Sequence, residues 1–494
     1  MKNLFDRKTG QIILVIFLAE LFSIFAFLLP DFEKAAFFII AALVLALSLI
    51  KLEYGILILL AELFIGSKGY LFYFEDGGTI ISIRLALWLI VMAVWLGKLL
   101  ASWIRNRQRP KLEPSGKNTY FYYFIILFLF IAWGITNGFL NHNGFGNTFF
   151  DFNGWLYFIL IFPIYDFLKN KENIYDLGRV FLAAIIWLSA KTFFLLFAFS
   201  HISSDIILDL YQWVRTTGVG EITPVEGGFY RIFFQSHIFI LVGFFMLLAF
   251  SPYWPPKNKK LFIIYYSLFI LFLSVILISF SRSFWIGLAI GLLFYYLITV
   301  LREKWKAALK ISAVLLVAGA AAIILALIIV KFPYPAPLGG FNAASLFSNR
   351  LSNLGEAAVS SRWQLLPPLW TAIKKAPILG SGFGATVTYE SKDPRILESS
   401  PTGEYTTYAF EWGWLDIWLK LGFFGLLAYL LLLAKIIYDG LLVKSRLGLG
   451  LALGLIVIVI VSFFSPYTNH PLGIGYLIIA AAAIERLKAG NSLA

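Results

Sequence analysis

The chain of 494 residues has no cysteine, only four histidines, and only 14% charged residues. Without cysteine there is no disulfide, no thiolate nucleophile and no thiolate-bound metal. The histidines, His142, His201, His237 and His470, are far apart in sequence. No acidic cluster suited to a hard cation stands between the apolar runs. Neither a metal nor a cofactor is therefore expected. Two further patterns are missing: the strict alternation of barrel strands, and the internal repeat that transporters usually show.

What the chain has instead is apolar length. It is 60% hydrophobic, with a mean hydropathy of +0.84. Runs of about 18 or more apolar residues recur, long enough to cross a bilayer as helix. Lipid offers backbone groups no partners, so uniformly apolar spans must satisfy themselves as helices. The expected fold class is an all-α polytopic membrane protein with about fourteen helices. They are placed at Gln11–Leu29, Ala35–Ile50, Leu52–Ile65, Ile80–Leu100, Tyr120–Phe139, Gly154–Leu168, Val180–Phe199, Ile232–Phe250, Leu261–Phe280, Phe284–Leu301, Ile311–Val330, Trp412–Tyr438, Leu447–Phe464 and Leu472–Ala483, with boundary errors of a few residues. The basic start, MKNLFDRKTG, is signal-like. Its apolar run is long and lacks a small-residue cleavage site before Pro30, so it reads as a first spanning helix.

The formal charge of +13 does not point to nucleic acid. Lys and Arg gather in alternate loops: Lys98–Lys117, Lys169–Arg179, Lys257–Lys260, Arg302–Lys310, Lys444–Arg446 and Arg486–Lys488. The positive-inside rule makes these cytoplasmic, with both termini inside. Three blocks follow: a membrane domain over 1–330, a large extracytoplasmic loop over 331–408, and C-terminal spans over 409–494.

Against that rule, Arg84, Arg215, Arg231, Arg282 and Arg362 fall in or beside exterior loops. A guanidinium at the interface is either a forked clamp for phosphate or carboxylate, or a snorkelling side chain. Arg231 opens RIFFQSHIF, at the expected mouth of a helix, with Gln235 and His237 one and two turns deeper. Those two either line a polar cavity or bond between helices. Arg282 is pinned in the short hairpin SFSRSFW. Arg362 follows Ser360 and Ser361, expected N-caps of a surface helix with apolar positions Leu366, Trp370 and Ile373. Pro367-Pro368 are expected to break or reset that helix, which ends before Pro377. Glu411 precedes the next span as either a cap or a general base. Asp416 follows it. Trp412, Trp414 and Trp418 are read as an interfacial belt or as sugar-stacking rings. Glu20 and Glu62 lie within apolar runs, as functional or hydrogen-bonded acids.

The series RIFFQSHIF, SRSFW, SRWQLLPPLWTAIKKAPILGSGFG and LDIWLKLGFFGLLAYL resembles the O-antigen ligase and O-antigen polymerase superfamily, diffusely from Arg231 to Leu430. The most specific parts are the arginines, the Pro-x-x-Gly-x-Gly-x-Gly turn at Pro377–Gly384, and the Gly-x-x-Gly at Gly422 and Gly425. The resemblance implies transfer of a glycan from an undecaprenyl-diphosphate donor to a hydroxyl of a glycan, lipid or protein acceptor. It implies the bacterial inner membrane, and neither metal nor nucleotide sugar. Arg231, Arg282 and Arg362 match the exterior arginines thought to hold the donor diphosphate, with Arg215, Gln235, His237, Trp412 and Trp414 as further substrate-binding candidates. One departure stands out. The family often has a His-Asn pair where this chain has Glu411 and Trp412. The expectation is therefore an inverting transfer with Glu411 as base and Arg282 and Arg362 on the diphosphate. The alternatives are a polysaccharide or lipid transporter, and an inert scaffold of a glycan export complex.

Overall fold

The computed structural model describes residues 4–106, 120–226, 228–250, 259–303, 305–339, 357–392 and 394–489. The apolar runs form helices, as the bilayer requires. In chain order the first are α1 (Arg7–Leu28), α2 (Pro30–Ile50), α3 (Leu52–Ile65), α4 (Ile83–Asn106), α5 (Phe121–Leu140) and α6 (Phe145–Phe152). A 3-10 segment, Asn153–Leu160, then leads into α7 (Ile161–Phe167). Next come α8 (Lys171–His201), α9 (Asp205–Thr216), α10 (His237–Ala249), α11 (Lys259–Ile278), α12 (Arg282–Glu303) and α13 (Trp305–Val330). The last are α14 (Ala357–Lys375), α15 (Pro394–Ser399), α16 (Gly413–Leu442), α17 (Arg446–Val461) and α18 (Pro471–Lys488). Among the described residues, nine helical spans are long and apolar enough to cross a membrane. The protein is an all-α polytopic membrane protein, and the strands among the described residues form three two-stranded antiparallel pairs.

The centre is built by α10, α17 and α18, whose side chains are nearly all buried. Small residues let these helices approach closely. A methyl group at Gly454 would meet the Tyr476 hydroxyl at 2.2 Å, and one at Gly450 the Met246 Cα at 3.2 Å. The outer helices expose rows of aliphatic side chains, such as Leu14, Val15 and Leu18 on α1 and Leu316 and Val317 on α13. The Lys- and Arg-rich segments meet at one end. There Arg302 bonds the Leu441 carbonyl, Arg446 the Ala249 carbonyl, and Lys488 the buried Asp439.

At the other end, hereafter the loop end, the chain departs from the expected pattern in four places. Residues 229–233, of which Ile232 and Phe233 were expected to open a helix, form a strand paired with Glu221–Glu226, with Ile222 and Ile232 buried opposite each other. Arg231 is therefore on a strand, not at a helix mouth. The amphipathic α9 lies in a segment read as loop. Helix α14 begins by Ala357, so Ser360 and Ser361 are inside it and neither is its N-cap; Arg362 is likewise not in its first turn. It also runs through Pro367-Pro368. An interior proline costs about 3 kcal/mol or more; here the helix is held by a satellite core. That core unites Leu365, Leu369 and Ile373 with Ala385, Val387, Phe410 and Leu419. The buried stripe thus falls at 365, 369 and 373, one position off the expected Leu366 and Trp370.

Candidate active site

Two glycine motifs meet first. Gly422 has φ 72° and breaks α16, so the carbonyls of Leu419 and Lys420 lose their helical partners. The Pro377–Gly384 turn fills the break. Ser381 N–H donates to the Leu419 carbonyl and Gly382 N–H to the Lys420 carbonyl. Gly380, Gly382 and Gly384 all have positive φ. They also have no room: a methyl at Gly382 would lie 2.1 Å from Gly138 N, and one at Gly422 would lie 2.2 Å from the Ile378 carbonyl. Asn137 of α5 and Asn143, just after that helix, donate to the carbonyls of Gly380, Ser381 and Phe383.

Beneath this plug sits a buried charge cluster. Lys420 Nζ is 2.5 Å from carboxylate oxygens of both Asp151 and Asp416. All three side chains are at most 7% exposed. Asp151 also accepts the Gly384 N–H at 2.8 Å, and Asp416 accepts from the Asn469 amide. The Tyr408 phenol is pushed up by burial and then by the Asp151 charge. The sequence reading missed Lys420, Asp151 and Asn469. A lysine four residues after Asp416 inside an apolar span was the available signal.

Above it, at the surface, Arg362 and Glu411 form a direct ion pair, 35% and 49% exposed. Trp412 Nε1 donates to the Arg362 carbonyl at 2.9 Å. Glu411 is not a helix cap: Trp412 occupies that position, and its side chain makes no capping hydrogen bond. Trp414 faces inward, donating to the Val459 carbonyl and packing near Tyr429 and Phe463.

A second group lies across the loop end. Arg231 Nε donates to the Ser279 carbonyl at 2.9 Å, and its guanidinium lies over Phe233. Arg231 and Arg215 both approach Glu221, at 3.7 and 3.6 Å. Arg282 opens α12 beside Ser281 and Ser283, whose hydroxyls are 3.0 Å apart. The Gln235 backbone carbonyl accepts from the Tyr467 hydroxyl, while the Gln235 Oε1 is buried without a hydrogen-bond partner among the described residues. His237 is not at the rim. It is fully buried, with Nε2 against Thr192 Oγ1 at 2.9 Å. Arg84 is likewise structural: it forks onto Glu62 at 2.8 and 3.0 Å and bonds the Ser67 carbonyl. Glu20 pairs with Lys191 in the interior.

The turn between α17 and α18 joins the two groups. Ser465 reaches Ser283, and Tyr467 reaches Gln235. On the other side Phe464 packs on Trp412, and Asn469 bonds Asp416. The structure thus puts Arg362, Glu411 and Trp412 together on one side of this turn, while Ser283 and Gln235, close in sequence to Arg282 and Arg231, meet its other side. Among the described residues no group of three or more His, Asp or Glu side chains converges to hold a metal ion.

A family model described as O-Antigen ligase matches residues 267–430. This segment is thus similar to the O-antigen ligase family, which supports the resemblance over that part of the chain. The family is one of membrane glycan ligases, enzymes of the glycosyltransferase type. The matched segment holds Arg282, Arg362, Glu411 and both glycine motifs. It leaves out Arg215, Arg231, Asp151 and Asn469. No curated protein and no solved structure matches the chain.

Proposed function

We propose that the protein transfers a glycan from an undecaprenyl-diphosphate donor to an acceptor hydroxyl, at the exterior end of the bundle in the inner membrane. The observation that carries this reading is the Arg362–Glu411 pair, at the loop end, inside the family segment. The carboxylate of Glu411 takes the proton of the acceptor hydroxyl. The hydroxyl oxygen attacks the anomeric carbon as the bond to the diphosphate oxygen breaks, which inverts that carbon. Undecaprenyl diphosphate leaves, and the proton passes from Glu411 to water. Arg282, with Arg231 and Arg215 at the same loop end, holds the leaving diphosphate; fixed positive charge stabilises charge that develops there. A guanidinium has five donors, so Arg362 can orient Glu411 and also face the diphosphate. This division needs no metal.

On this reading the described residues 357–392 and 394–408 are a cover rather than a separate unit. Its helix α14 and glycine turn are fastened to α16 by the satellite core and by the filled helix break. That filling also weighs against a transporter. Transporters use a broken helix as an open ion or substrate site, whereas the carbonyls freed at Gly422 are taken by Ser381 and Gly382. Product analysis with purified protein, a lipid-diphosphate-linked oligosaccharide and a sugar acceptor tests the proposal. It expects a longer or newly linked glycan and free lipid diphosphate, with loss of at least about 100-fold on Arg282→Ala, the scale of removing one preorganised donor.

A further inference from the structure

Helix α14 has a second face. Its buried stripe, Leu365, Leu369 and Ile373, seals the satellite core. Trp363 and Trp370 lie elsewhere on the helix and are 58% and 39% exposed. They are seven positions apart, hence on one face and about 10.5 Å apart along the axis. Pro367 stands between them on that same face. Each exposed ring is braced edge-on by another tryptophan. Trp363 meets Trp412 at 5.5 Å and 67°, and Trp370 meets Trp418 at 5.5 Å and 84°. The bracing rings are themselves tied down. Trp412 Nε1 donates to the Arg362 carbonyl and Trp418 Nε1 to the Pro377 carbonyl, both at 2.9 Å.

An interfacial-belt tryptophan needs no such bracing, because its indole turns its polar edge to the headgroups. Here the indole N–H groups of Trp412 and Trp418 are spent on protein backbone, which fixes those two rings as braces for Trp363 and Trp370, and Lys374 Nζ lies over the Trp370 ring at 5.9 Å. Rigid, pre-placed aromatic surface binds at low entropic cost. The ligand that fits a row of flat apolar rings beside a polar site is a carbohydrate. A pyranose offers C–H faces to the ring and hydroxyls to the surroundings. The row is also continuous with the chemistry: Trp363 follows Arg362, and Trp412 follows Glu411.

We propose that Trp363 and Trp370 form a platform for the acceptor glycan, seating the sugar rings beyond the hydroxyl that Glu411 deprotonates. This rests on the reading given above. The acceptor rather than the donor is assigned, because the platform adjoins the base, while Ser283 and Gln235, close in sequence to Arg282 and Arg231, meet the other side of the Ser462–His470 turn.

The test uses the purified full chain. The probe is the cells' own envelope glycan, released from lipid by mild acid, with binding followed by saturation-transfer NMR. Trp363→Ala and Trp370→Ala are expected to raise the acceptor KM at least about tenfold, equal to about 1.4 kcal/mol, with kcat and donor KM within about twofold. Trp370→Tyr restores the acceptor KM, and Glu411→Gln binds the glycan without transferring it. Trp370→Leu, which keeps apolar bulk, is the second variant should an alanine variant not fold. An unchanged acceptor KM overturns the platform. So does a rise in donor KM instead, or a loss only of association with vesicles. If the wild type binds the glycan at these rings but transfers nothing, the platform stands and the glycosyltransferase reading fails.

Discussion

Lys420 Nζ lies 2.5 Å from an Asp151 carboxylate oxygen, joining helix α16 to a residue 269 positions earlier in the chain. Both side chains are buried, and Lys420 also holds Asp416. Removing one partner leaves the others charged in a low-dielectric site, which costs about 3–5 kcal/mol. Lys420→Met is therefore expected to lower stability by that amount in denaturant titrations of detergent-solubilised protein. Adding Asp151→Asn and Asp416→Asn to it is expected to recover most of the loss. A triple variant no more stable than the single one contradicts this.

The glycine plug gives a second prediction. Gly382→Ala adds a methyl 2.1 Å from Gly138 N at a residue with φ 80°. Left-handed strain of about 1–2 kcal/mol adds to overpacking of about 1–3 kcal/mol. Thermal unfolding is expected to show a loss of at least about 2 kcal/mol from these two terms. Gly10→Ala is the control. It is helical with nothing within 4 Å of an added Cβ, and it should leave stability equal or slightly higher.

Arg84 separates structural from substrate-facing arginines. Its fork on Glu62 has no lysine equivalent. Arg84→Lys is expected to reduce stability by about 1–3 kcal/mol, the range for a buried group left unsatisfied. The kcat of the folded fraction is expected to stay unchanged. A large fall in kcat at full stability would move Arg84 into the site.

His470 sets a pH limit. Burial, with the Arg84 and Lys68 charges behind it, pushes its imidazole from 6.5 down to about 3. Its Nδ1 accepts the Leu472 N–H, capping α18. The folded state thus binds fewer protons than the unfolded state between these values. The contribution is complete above about pH 6.5 and is lost as pH falls toward 3. His470→Asn keeps an N-cap acceptor and removes the titration, so its stability should vary less over that window. An identical pH dependence would rule out His470 as its source.

The spans and the clustered glycines were legible because lipid permits little besides apolar helix, and because three glycines in five residues at 380–384 mark tight backbone contact. Arg231 was misplaced because a β-branched and aromatic run reads equally as buried helix or strand. What decided it was pairing with Glu221–Glu226, which is not local. The fused α14 escaped for a similar reason. Pro-Pro argues locally against helix, and the apolar stripe that holds it meets partners tens of residues away. Arg362 and Glu411 could be singled out one by one, but no periodicity shows that they pair. Lys420 was overlooked because its compensating Asp151 sits in an unremarkable aromatic stretch.

The central claim is that Glu411, held by Arg362, is the base. It is tested most directly by single-turnover transfer from a lipid-diphosphate-linked oligosaccharide, comparing wild type with Glu411→Gln at matched fold and donor occupancy. The account predicts a fall in the transfer rate of about 10²–10⁴-fold, the usual contribution of a general base, with donor affinity unchanged. Transfer by Glu411→Gln at the wild-type rate would contradict it.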